Sequence, residues 1–142
     1  MYEKTYTFIE DLTSDVMFEA FGPTLPLMFE AAAEAMFSVI CDMKQIRPEH
    51  SIHITVRADD ERRLLLDFLN SLLTNSEIEG LFLCSFKIES VEEKNGLVLE
   101  ASAQGEKISP EKGGTVAKGI TYYGFELEKN AEGYRARVAL DI

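Results

Sequence analysis

The chain of 142 residues is poor in positive charge, in cysteine and in histidine. Fourteen Lys and Arg stand against 25 Asp and Glu, a formal net charge of −11 and a sequence pI near 4.6. Such a surface repels nucleic acid phosphates at long range, so direct RNA or DNA binding is not expected. A basic protein or a divalent cation is the more natural partner. Two cysteines, Cys41 and Cys84, stand far apart in sequence with no CxxC spacing, which excludes a zinc knuckle or a redox motif. They read as reduced, buried thiols of a cytoplasmic protein. No apolar run approaches the roughly 20 residues that span a bilayer, and the alternating, acidic start "MYEKTYTFIE" does not read as a signal peptide.

Catalytic signatures are equally scarce. His50 and His53 are the only histidines, and neither has a sequence neighbour that suggests a nucleophile–base pair. There is no P-loop and no GxGxxG. "EKGGT" at 111–115 reads as a flexible loop rather than a phosphate cradle.

What is present is a clear succession of periods. Tyr2 to Ile9 alternates and reads as a strand, as does Val16 to Phe21. The pattern then becomes helical. Thr24 is the expected N-cap and Pro26 falls in the first turn, where proline is tolerated. Leu25, Met28, Phe29, Ala32, Met36, Val39 and Ile40 form one apolar stripe, with Glu30 and Glu34 on the other face, and the helix should end near Asp42. A strand is expected over Ser51 to Ala58. A second helix follows, capped by Asp59 or Asp60, with Leu65, Phe68, Leu69, Leu72 and Leu73 buried. Four strands in two hairpins complete the chain, the first turning at Asn95-Gly96 and the second between Asn130 and Gly133. The order predicts a single α+β domain over 1–142. It should be a two-layer sandwich, with two helices on one face of a mainly antiparallel sheet of six or seven strands. The other face should be partly solvated and open to a partner.

The acidic residues carry the one candidate for chemistry. "IEDLTSDVMFEAFG" (9–22) crowds Glu10, Asp11 and Asp15 into a polar break between two apolar runs. A solvated turn explains the first two. Asp15 begins a strand, and Asp141 and Ile142 lie at the other end of the sequence, where an α-carboxylate adds further oxygens. If the last strand ends beside the second, these groups meet. Hard cations favour such oxygen sets, and crowded carboxylates repel unless a proton or cation intervenes. With so many acids in the chain, a chance cluster is the competing explanation.

Four stretches also carry a resemblance. Asp11-Leu12-Thr13-Ser14-Asp15 is similar to the "DHTAD" motif of the archeases. Gly22-Pro23-Thr24-Leu25, with Phe29 to Phe37, resembles their "GDSLEEAFEAVAIALF" helix. Gly105-Glu106-Lys107 and then Val116-Ala117-Lys118-Gly119-Ile120-Thr121-Tyr122 resemble a segment ending "VKAITYH". Asp141-Ile142 matches their "DI" end. The chain departs from the motifs at Leu12 (histidine in the family), at Pro23 (an acid) and at Tyr123 (often histidine). The resemblance implies a non-enzymatic helper of the GTP-dependent RNA-splicing ligase that joins tRNA halves. Such a helper speeds ligase guanylylation and turnover. It also implies a divalent metal, calcium with magnesium or manganese as alternatives, on Asp15, Asp141 and Ile142, with Lys118 matching the family's lysine. Two other classes remain open: a general chaperone or protein-binding module using the exposed sheet face, and a metal-dependent hydrolase. The latter lacks an identifiable base.

Overall fold

A computed structural model describes residues 1–9 and 15–142. The readings of Glu10 and Asp11 as a solvated turn, and of Leu12 in place of the motif histidine, lie outside the described residues. In chain order the elements are β1 (Thr5–Ile9), β2 (Asp15–Gly22), α1 (Leu25–Ile40), β3 (His50–Ala58), α2 (Glu61–Glu79), β4 (Leu81–Glu93), β5 (Leu97–Lys107), β6 (Gly119–Asn130) and β7 (Gly133–Asp141). Short 3-10 turns occupy Met43–Gln45 and Pro110–Lys112. No helix among the described residues is long and apolar enough to cross a membrane.

The local signals act as expected. The Thr24 hydroxyl accepts the Leu27 N–H at 3.4 Å, and the Asp60 carboxylate accepts the Arg63 N–H at 2.8 Å; each satisfies a donor that the first turn of a helix leaves orphaned. Asn95 and Gly96 turn the β4–β5 hairpin with φ of 54° and 105°, the left-handed conformation a tight hairpin requires.

The class is α+β, and every strand pairing is antiparallel. The strands divide into two sheets, however, ordered β1-β2-β7-β6 and β3-β5-β4. Both helices touch both sheets: α1 packs on β1, β2 and β7 and also on β4, and α2 packs on β6 and also on β3, β4 and β5. This explains why α1 is so apolar. Met28, Phe29, Ala31, Ala32, Ala33, Ala35, Met36 and Phe37 are all fully buried, as befits a helix enclosed on most sides. The small alanines let the sheets approach the helix closely.

Enclosure also changes the reading of Glu30. Placed by periodicity on an outer face, it is instead 6% exposed. Its carboxylate accepts the Lys4 ammonium at 3.1 Å and the Ile88 N–H at 3.0 Å. A carboxylate removed from water needs such partners. Glu34, one turn on, shares Lys4 at 2.9 Å.

Candidate functional site

The register of the first sheet sorts its residues by face, because directly opposed residues of an antiparallel pair project together. Phe18 faces Val138 and Ala20 faces Ala136, and all four lie in the core. The alternate residues of β2 and β7 therefore belong to the outer face: Asp15 with Asp141, Met17 with Ala139, Glu19 with Arg137, and Phe21 with Arg135. β6 adds Gly119 opposite Asp141 and Glu126 opposite Arg137.

The structure thus brings together the two aspartates that lie at opposite ends of the sequence. Asp15 opens β2 and Asp141 closes β7, as directly opposed partners, a relation that holds Cα atoms about 4.5–5.5 Å apart. Asp15 is half-buried and Asp141 exposed. Lys118, exposed on the segment leading into β6, donates its N–H to the Asp141 carbonyl at 2.7 Å. Ile142 follows directly and is partly buried against the core. Backbone pairing therefore places all four sequence-selected residues at one end of one sheet.

Chemically, this end presents oxygen donors. Two side-chain carboxylates are hard donors of the kind that suits calcium, magnesium or manganese. Among the described residues no group of three or more His, Cys, Asp or Glu side chains is assembled that could hold a metal ion. A cation here would therefore draw on main-chain or terminal oxygens and water besides Asp15 and Asp141.

Farther along the same face the carboxylates meet arginine. Arg135 donates to Glu126 at 2.7 Å, to Glu128 at 3.0 Å and to Glu19. Arg137 pairs with Glu126 at 3.4 Å. The Arg135 hydrogen bonds hold the Glu126 and Glu128 carboxyls below the usual carboxylate range.

Between these two zones β6 leaves regular register from Thr121 to Glu126. Gly124 adopts φ of 69°, and a Cβ there would lie 2.9 Å from the Met17 Cε, so the excursion closes over the outer face. This accounts for the burial of Met17 and Ala139. The excursion presents Tyr122 and Tyr123, which are strongly exposed, and Arg63 donates to the Tyr122 hydroxyl. Periodicity alone did not find this feature. Its signal is the glycine in "TYYGF", which reads as ordinary strand until the register is known.

The histidines take no part. His53 is exposed on β3, 3.0 Å from Glu100 and 4.0 Å from Glu89, and His50 is exposed at the strand's start.

Fold and site together define an α+β domain with two helices enclosed by two antiparallel sheets and an acidic pair at the end of one of them. Residues 6–142 match the model of the Archease protein family (MTH1598/TM1083). The chain is 37% identical over 142 residues to the protein archease of Methanosarcina acetivorans, covering 98% of this chain and 97% of that one. It is 37% identical over 134 residues to the protein archease of Pyrococcus furiosus, covering 92% and 94%. The solution structure of Methanobacterium thermoautotrophicum protein 1598 superposes with a TM-score of 0.83 at 31% identity, over 96% of this chain and 98% of that one. An archease of Thermotoga maritima, described as a "possible chaperone", shares the fold at a TM-score of 0.63 and 15% identity, over 94% and 95%. The chain belongs to the archease family.

Proposed function

We propose that this protein is an accessory activator of a GTP-dependent RNA-splicing ligase, raising ligase guanylylation and turnover without being the catalyst. The observation that carries the reading is the direct opposition of Asp15 and Asp141 across the β2–β7 ladder, with Lys118 tied to the same point by its N–H. These are the residues that match the family motifs.

Asp15, Asp141 and the Ile142 carboxylate would hold a divalent cation, calcium or alternatively magnesium or manganese. When bound, it supplies the positive charge that lets several carboxylates share one site. The protein's own part is to hold these oxygens at a rigid sheet end and to present them, with Lys118, to the partner. A net charge of −11 favours encounter with a basic cleft such as an RNA ligase needs for its substrate. That attraction speeds association and is screened by salt.

The test is the rate of ligase–GMP formation from GTP with the cognate ligase. Wild-type protein should raise it, and Asp15→Ala or Asp141→Ala should abolish the gain while the protein stays folded. An unchanged rate with wild-type protein would end the proposal. A general chaperone acting through the sheet face would instead suppress aggregation of unrelated clients and be indifferent to Asp15→Ala.

A further inference from the structure

A second cluster lies away from the acidic sheet end. α1 stops at Ile40, and Cys41 continues in extended backbone with φ of −151° and ψ of 167°. The Cys41 N–H donates to the Phe37 carbonyl at 3.0 Å, and the Asp42 N–H to the Lys112 carbonyl at 2.9 Å. A bridge from Cys41 to Gly113 straps the segment down. Met43 follows as the first residue of the short 3-10 turn Met43–Gln45. Cys84 comes from the other sheet. β4 pairs Leu83 with Gly105 and Ser85 with Gln104, so Cys84 is the extra residue of a β-bulge, a device that re-aims a side chain. The bulge depends on Gly105, where a Cβ would sit 1.8 Å from the Phe82 carbonyl oxygen.

Cys41, Met43 and Cys84 line one cavity of ≈ 670 Å³, together with Glu34, Asp42 and Lys44. Both cysteines are free thiols. With Met43 they put three of the chain's seven sulfur-bearing residues, two cysteines and five methionines, on the lining of this cavity.

We propose that Cys41, Cys84 and Met43 form a sulfur-only site for a soft monovalent cation, copper(I), between the end of α1 and the bulge of β4. Thiolate and thioether donors select soft cations, whereas calcium and magnesium require oxygen. Structural zinc takes four ligands drawn from Cys, His and carboxylates, and no such group of even three is assembled among the described residues. Binding breaks two S–H bonds and forms two copper–sulfur bonds, the thioether adds a third, and two protons pass to solvent. No electron is transferred.

The test supplies copper(I) anaerobically as its acetonitrile complex, in competition with the chromophoric chelator bathocuproine disulfonate. Wild-type protein should withdraw a single copper ion per chain, and Cys84→Ser should lose this ability. Met43→Leu should weaken it by about 10-fold, the scale of a supporting interaction at a metal site. Asp15→Ala should leave it unchanged, which keeps the outcome separate from that of the ligase assay. X-ray absorption on copper-loaded wild-type protein, which needs no variant, should show a first shell of sulfur alone. Failure of the wild-type protein to withdraw copper, a first shell of oxygen or nitrogen, or equal withdrawal by Cys84→Ser would overturn the proposal.

Discussion

The outer face of the β1-β2-β7-β6 sheet treats its carboxylates in two ways. In the middle, Glu19, Glu126 and Glu128 converge on Arg135. At the end, an aspartate stands directly opposite another aspartate. The backbone geometry is the same ladder in both places. Only the residue across the strand differs, and with it the role. A carboxylate opposite arginine is part of the fold's own electrostatics. A carboxylate opposite a carboxylate meets like-charge repulsion across the strands; in the function proposed above, a bound cation would offset it.

The largest expected effect separates the two zones by function. Asp141→Ala should eliminate the gain in ligase–GMP formation while changing unfolding free energy by no more than about 0.5 kcal/mol, the usual range for an exposed substitution. Arg135→Met should leave the gain largely in place. If Arg135→Met in its folded state abolishes the gain and Asp141→Ala does not, the two zones have been assigned the wrong way round.

Calcium provides the next contrast. A ligand that binds only the folded state stabilises it by mass action, about 2.7 kcal/mol at a concentration 100 times its dissociation constant. Thermal unfolding of wild-type protein should shift upward with added calcium, and that of Asp15→Ala or Asp141→Ala should not. Equal shifts in all three proteins would mean that the ion binds elsewhere.

In the middle zone the effect is on stability. Arg135→Met removes the shared partner of three glutamates, so the melting temperature should fall by several degrees at neutral pH, measured by circular dichroism. The smallest effect is its pH dependence. Glu126 and Glu128 are held below the usual range by Arg135, and Glu106 by Lys112 at 2.7 Å. Each group with a lowered folded pKa adds stability that is fully present above the unfolded value, about 4.3 for glutamate. That stability is lost as pH falls through the folded value below it. Wild-type protein should therefore lose stability on acidification from about pH 5 downward. Arg135→Met should show a shallower slope, and a parallel slope would remove Arg135 as the cause.

Much of the architecture was legible because short-range physics sets it. Thr24, Asp60 and Asn95-Gly96 act through hydrogen bonds and dihedral preferences within a few residues. Seven alternating segments and two helical ones became seven strands and two helices. The meeting of Asp15 and Asp141 was also foreseeable, on one condition: that the last strand end beside the second. Periodicity could not say how many sheets those strands form. That depends on which edges pair, a long-range choice, and it decided that α1 would be enclosed and Glu30 buried.

The sulfur cluster shows the same division. Sequence places Cys41 and Cys84 forty-three residues apart, with nothing in their spacing to suggest a shared cavity. A β-bulge at Cys84 and the strap from Gly113 to Cys41 put both on the lining of one cavity.

By itself, then, the sequence determined the elements, their caps and turns, the acidic surface and the family motifs, since each depends on neighbouring residues or on composition. Only the tertiary structure decided which carboxylates face arginine, which faces its like, and that both cysteines line one cavity. For the carboxylates and arginines the outcome follows from strand register and sheet partition, and a shift of one residue along a ladder would send those side chains to the opposite face; for the cysteines it depends on a bulge and on a bridge outside the strands.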